Sequence, residues 1–342
     1  MSNSYSTGRV AGYGFVGGLV GGIGWHGGIG WNGGTVSNSY YSYDEVLIND
    51  RNIITIGALS NEDFEQWLAN DKFLDVDERL SQEDGYYLIN DVGDFKQLLA
   101  FGQDDSLKFR LTTDLNLASE ANFYIPYLAG EFDGNGHKIL NLSFNFDFVS
   151  GVGLFGYLGS GGKVSEVGAE NVNVTGNHYV GGLVGHSRGT VSNSYSTGSV
   201  TGGTDVGGLV GWNSGSVSNS YSTGAVTGSW AVGGLVGWWV MGIVSKSYST
   251  GRVTGTGDGP VGGLVGLADN YAVASNSFWD REASGMEVSD GGTGKTTVEM
   301  HDITTFTTWD ITAVTPGVTN PAYIWNIVDG ETYPFLSWQS VS

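Results

Sequence analysis

Three kinds of residue in this chain could carry chemistry: histidines, carboxylates and regularly spaced aromatics. The five histidines are His26, His137, His178, His186 and His301. None stands in an HExxH or paired-His spacing and there is no cysteine, so no zinc site is expected. His178, Tyr179, His186 and Arg188 lie close together in the chain. A β-helix lyase uses a basic residue, often beside Tyr or His, to take a proton next to a uronate. These four residues are the set such catalysis would need. A glycosidase instead needs two carboxyl groups roughly 5–10 Å apart. From Val180 onward the repeats offer only Asp205, Asp258 and Asp269, none at matching repeat positions. Such a pair would require an acid from a flanking loop to meet Asp205.

Three further motifs read as structure. SDGGTGKTT from Ser289 resembles a nucleotide-binding loop, but the place of its first glycine is held by Ser289. Glu131, Asp133, Asn135 and Gly136 resemble half a calcium loop, yet the twelfth position is Leu142 rather than a bidentate Glu. Asp71, Asp75, Asp77 and Glu78 read as a solvated acidic face. No cofactor is expected, and Ca²⁺ is the one ion the acidic composition leaves open.

The aromatics are more orderly. The residue after each GGLVG is His186, Trp212, Trp238 and Leu267. A second file holds His178, Thr204 and Trp230, and a third Tyr195, Tyr221, Tyr248 and Phe278. Stacked aromatics usually serve packing, which is the reading for the tyrosines. A half-exposed file of Trp212 and Trp238, with His186 and Trp230 beside it, could instead stack against sugar rings.

These files exist only if the chain winds regularly. From Val180 onward VGGLVG occurs four times, at Val180, Val206, Val232 and Val261, with spacings of 26, 26 and 29 residues. Between copies lie VSNSYSTGSV, VSNSYSTGAV and VSKSYSTGRV. A fixed period of this size marks a stacked architecture. Gly, Ser, Thr and Asn disfavour helix, and short runs of Val, Leu and Tyr between them read as strands. Each unit should be one coil with two or three strands, paired in parallel with the next coil about 4.8 Å away. Crossover handedness makes the coil right-handed. The glycines should supply positive-φ corners and close backbone approach. The leucines of VGGLVG should pile up inside, and Asn193 and Asn219 should bond backbone at a corner, in an Asn ladder that stops at Lys246.

VGGLVG with NSYSTG resembles the GLUG repeat of bacterial and archaeal surface proteins, including adhesins and non-catalytic parts of large secreted proteases. The resemblance covers Val180 to Val265, extends to GLFGYLG from Gly153, and reaches Met1 to Ser42. It implies a surface location and is specific for the repeat, not for an activity.

The rest of the chain frames the repeats. The net charge is −21, with 16 acids against four bases between Asp44 and Asp105. Such a chain repels nucleic acid. No apolar run is long enough to span a membrane. Residues 1–42 read as the end of an upstream array, in a chain cut from a longer secreted protein. Residues 43–90 read as an acidic tail or linker with a short helix at NEDFEQWLAND, capped by Asn61. Residues 91–342 read as the solenoid: an N-terminal cap over 91–131 with a helix at DVGDFKQLLAF, coils over 132–278, and an aromatic tail over 279–342. The tail repeats the outline of 43–90.

The expected fold is thus all-β, a right-handed parallel β-helix with a short capping helix and an aromatic C-terminal tail. The leading function is a non-catalytic extracellular module for cell-surface display, adhesion or glycan and matrix binding. Alternatives are a lyase or glycosidase acting on acidic polysaccharide, and a structural spacer or filament subunit. The expected partners are a polysaccharide or cell-surface glycan, or another copy of the chain, with no nucleic acid and no membrane insertion.

Overall fold

The computed structural model describes residues 4–10, 39–269 and 272–339. Trp25, His26 and Trp31 lie outside the described residues, as does most of the stretch read as an upstream array. The chain winds into a parallel β-solenoid of about six laps. The lap beginning at His178 runs through strands His178–Gly181, Val184–Ser187, Thr190–Ser192 and Tyr195–Thr201. The next lap repeats them as Thr204–Gly207, Val210–Asn213, Ser216–Ser218, Tyr221–Ser222 and Ala225–Gly228. Each lap therefore has four or five short strands rather than two or three. The turns between them divide the path more finely than the Val runs suggest.

Like residues stand over like. Val184 pairs with Val210, Val210 with Val236, and Val236 with Val265. Leu183, Leu209, Leu235 and Leu264 are fully buried. The Leu183 N–H donates to the Leu209 carbonyl at 3.0 Å, and Leu209 to Leu235 at 3.0 Å. Each such side chain taken from water contributes about 1.5–3 kcal/mol.

The glycines of VGGLVG act differently from expectation. None of them takes a left-handed φ. What they permit is contact. A Cβ on Gly208 would meet Ser222 Oγ at 2.2 Å and the Gly234 carbonyl at 2.3 Å.

The left-handed corners belong to other residues. Glu166, Asn193, Asn219, Lys246 and Asn276 all have φ between 47° and 52°. Lys246 ends the run of asparagines and keeps the corner's φ. Four of these residues are followed by a serine, and Glu166 by Val167. Ser194, Ser220, Ser247 and Ser277 are buried. Each Oγ donates across the corner to the carbonyl two residues earlier, at 2.7–3.0 Å. Ser220 Oγ also accepts the Ser194 N–H of the lap before at 3.3 Å, and Ser247 Oγ the Ser220 N–H at 3.2 Å. The ladder satisfies buried polar groups both within and between laps.

At the N-terminal side, Tyr5–Ser6, Tyr40–Ser42 and Ala58–Leu59 pair in parallel and lead into helix α1 (Asn61–Ala69). Its cap is Ser60, not Asn61: Ser60 Oγ accepts the Asp63 N–H at 3.2 Å. The single helix expected at DVGDFKQLLAF is two, α2 (Val92–Lys96) and α3 (Leu98–Phe101), which meet at Gln97. Phe95, Leu98 and Leu99 enter the same core as Tyr41, Trp67 and the solenoid valines.

The C-terminal tail lies along the tyrosine file. Tyr195, Tyr221 and Tyr248 stack at 4.9 Å with planes 5° and 3° apart. Trp309 and Trp325 pack over Tyr248, and Trp338 over Tyr195. Tyr248 Oη donates to the Pro334 carbonyl at 2.6 Å. Trp67 packs edge-on against Tyr40 at 5.3 Å, and Ser60 matches the Thr296 cap, whose Oγ1 accepts the Glu299 N–H.

Ser220→Ala should orphan the buried Ser194 N–H and cost about 1–3 kcal/mol, while the Ser218 carbonyl keeps the Asn193 N–H at 3.1 Å. Ser216→Ala, on an outward position of the same lap, should stay within about 0.5 kcal/mol. Urea midpoints of the two variants check this. Equal midpoints would show that the serine ladder contributes nothing.

Candidate functional site

A second left-handed position falls inside the first strand of a lap, at Tyr179 in His178–Gly181 and at Asp205 in Thr204–Gly207. Gly151, Tyr179, Asp205 and Ala231 occupy it in successive laps, with φ of 71°, 56°, 57° and 50°. Two files flank it. On one side His178 pairs with Thr204, and Thr204 with Trp230. On the other, Tyr127, Tyr157, His186, Trp212, Trp238 and Leu267 follow in register. Tyr179, Asp205 and Ala231 are almost completely covered, so the corner is a floor between two walls. Trp212 and Trp238 are half-buried, and Trp230 is 48% exposed.

The structure gathers three of the four proposed catalytic residues here. His186 lies 5.4 Å from Tyr179 and 4.1 Å from Trp212, ring centre to ring centre. His178 and Tyr179 are 6.2 Å apart on the same measure. Arg188 instead acts on Tyr127, where its charge partly offsets the burial that raises that phenol's pKa. The proposed ligand residues His186, Trp212 and Trp238 share one wall, and Trp230 stands on the opposite one.

Asp205 is the residue that repeat counting passed over. It is 5% exposed. Its one hydrogen bond comes from Thr204 Oγ1 to Oδ2 at 3.4 Å, and Oδ1 has no partner. His178 Nδ1 is 2.5 Å from the same Thr204 oxygen, so a polar line runs His178–Thr204–Asp205. Burial pushes the Asp205 carboxyl up to about 7, with the Thr204 bond opposing. Burial lowers the His178 pKa, so its imidazole is biased to the neutral form. Burial, reinforced by Asp205, raises Tyr179 to about 12.

The remaining motifs are engaged elsewhere. Asp133 pairs with Arg110 Nε at 2.8 Å and accepts the Asn135 N–H at 2.8 Å. Thr293–Lys295 is a strand paired with Phe278–Asp280, rather than a phosphate-cradling loop. Tyr87 Oη donates to Asp77 Oδ1 at 2.7 Å. Among the described residues, no three His, Asp or Glu side chains converge as metal ligands.

Similarity to known proteins follows the laps. A model of the GLUG motif matches residues 176–201 and 202–227, so the chain carries GLUG repeats, each matched copy covering one lap. Halomucin from Haloquadratum walsbyi is 39% identical over 79 residues, which span 23% of this chain and 1% of halomucin. A solved Bacteroides ovatus chain, a candidate immunoglobulin A1 protease, superposes with a TM-score of 0.55 at 18% identity. The superposition covers 76% of this chain and 94% of that one. At that identity the likeness is one of fold.

Because its pKa is raised to about 7 in the folded chain, from an ordinary 3.8, Asp205 favours folding in acid. The contribution is complete below about pH 4 and disappears as pH climbs through about 7. Asp205→Asn removes that dependence. Its stability relative to the natural chain should improve between pH 4 and 8, by up to about 4 kcal/mol. Urea unfolding of both proteins across that range is the check. Parallel stability curves would place the carboxyl in ordinary solvent.

Proposed function

We propose that the chain is a non-catalytic, extracellular or cell-surface module for display or adhesion, and that it holds an extended polysaccharide against the aromatic file. The observation that carries this reading is a contrast between two files in the same laps. Tyr195, Tyr221 and Tyr248 are sealed under the tail. Trp212, Trp238 and Trp230 keep ring surface in solvent, beside a corner that carries polar groups. Partly exposed aromatics with adjacent polar groups suit sugars, whose apolar ring faces stack while their hydroxyls bond. Rungs about 4.8 Å apart are comparable in length to one pyranose unit. A chain of sugars lying along the solenoid axis would therefore meet one rung per unit.

The GLUG repeats and the likeness to halomucin support an extracellular or cell-surface place. Among the described residues, no helix is long and apolar enough to cross a membrane.

A lyase or glycosidase acting on acidic polysaccharide is the second reading. The cluster of His178, Tyr179 and His186 favours it. The floor of the furrow offers a single carboxyl, Asp205, where glycoside hydrolysis uses two. Incubation with uronate polymers and detection of unsaturated product separates the two readings.

The double variant Trp212→Ala, Trp238→Ala should lose polysaccharide retention by on the order of tenfold or more while keeping the β-rich circular dichroism of the natural chain. Affinity electrophoresis through a panel of embedded glycans measures it. Unchanged migration of both proteins across the panel would remove the aromatic file from the binding account.

A further inference from the structure

Asp205 presents a problem that the fold itself does not solve. Its carboxyl is nearly inaccessible, and among the described residues no cation forms an ion pair with it. Buried carboxylates are normally paired, because desolvation costs several kcal/mol. The corner does not require the charge. Gly151, Tyr179 and Ala231 hold the same left-handed conformation in neighbouring laps. An Asn would hold it equally well, as Asn193 and Asn219 do at the other corner. What Asp205 adds over these alternatives is a carboxyl.

We propose that Asp205 is the anionic anchor of a subsite for a protonated amine, and that the polysaccharide on the aromatic file carries free amino sugars. The inference rests on the glycan-binding reading and names its ligand class. Three observations point the same way. Asp205 Oδ1 has no hydrogen-bond partner, and an ammonium brings three donors. The surroundings are aromatic: Tyr179 stands one lap above, Trp230 lies across from Thr204 one lap below, and Trp212 follows in the same lap. Aromatic faces attract cations, most strongly where water is excluded. Finally, a net charge of −21 draws cationic polymers toward the chain and repels acidic ones. A uronate at this place would instead set a second carboxylate beside Asp205. Thr204 and His178, both partly exposed, form the rim through which the amine would enter.

The test compares a glucosamine oligosaccharide with its fully N-acetylated counterpart, which has the same backbone without the charge. Titration calorimetry near neutral pH should show the natural chain holding the amino form about tenfold or more tighter, a difference of ~1.4 kcal/mol. Asp205→Asn and Asp205→Ala should bring affinity for the amino form down to that of the acetylated form. Trp212→Ala should weaken both forms together. Equal affinity of the natural chain for the two forms would overturn the amine subsite and leave the aromatic file standing. So would a preference that survives in the folded Asp205 variants. Binding of neither form would remove the amine subsite, and failure across the wider glycan panel would remove the glycan reading with it.

Discussion

The structure depends on one hydrogen-bonding arrangement, the buried serine that closes the left-handed corner of four successive laps. A left-handed residue turns the chain sharply but leaves a carbonyl before it and an N–H after it facing the interior. In water these groups would be solvated. Inside the solenoid each must find a partner, or it costs as much as a lost hydrogen bond. Ser194, Ser220, Ser247 and Ser277 solve both problems with one hydroxyl each. They donate within their own lap, and each also accepts from the lap before, Ser194 from the Val167 N–H and the others from a serine N–H. The arrangement works only when each serine stands under the corner N–H of the lap before, so it sets register as well as stability.

Register is what converts a repeated sequence into surface chemistry. Once corner lies over corner, inward valines and leucines must pile up, and outward residues must form files. The same rule builds two unlike surfaces. The tyrosine file became packing because the tail supplies Trp309, Trp325 and Trp338 to cover it. The tryptophan file kept its exposure. Between its walls the corner carries Tyr179, Asp205 and Ala231 in turn, so chemistry changes from lap to lap on a constant backbone. A solenoid of this kind can vary its ligand site without disturbing its core.

Much of this was legible beforehand. The period of VGGLVG predicts stacking, and Leu183, Leu209 and Leu235 stack. The residue following each GGLVG predicts the file of His186, Trp212 and Trp238, and the same reading applied to GLFG would have added Tyr157. Tyr127 had no motif to mark it. The glycines were understood only in part, because spacing does not separate a residue chosen for its φ from one chosen for the space it leaves. The asparagine corner was given the wrong emphasis for a related reason. Asn is the conspicuous residue, yet Lys246 and Glu166 adopt the same φ, while the partner shared by Asn193, Asn219, Lys246 and Asn276 is the small serine that follows each. Asp205 is legible in the sequence only as a lone carboxylate of the repeats, since its burial and its missing partner belong to the fold.

The central claim is that each 26-residue phrase is one lap in strict register with the next, and cross-linking tests it most directly. The natural chain has no cysteine. Ser192 pairs with Ser218, and Ser218 with Ser245. Paired strands about 4.8 Å apart fall within the range of about 4.4–6.8 Å between Cα atoms that a disulfide tolerates. Ser192→Cys with Ser218→Cys should therefore form an intramolecular disulfide on mild oxidation. Ser192→Cys with Ser245→Cys, two laps apart, should not. Failure of the first pair to close, or equal closure of both, would contradict the winding on which the corner, the files and the furrow all rest.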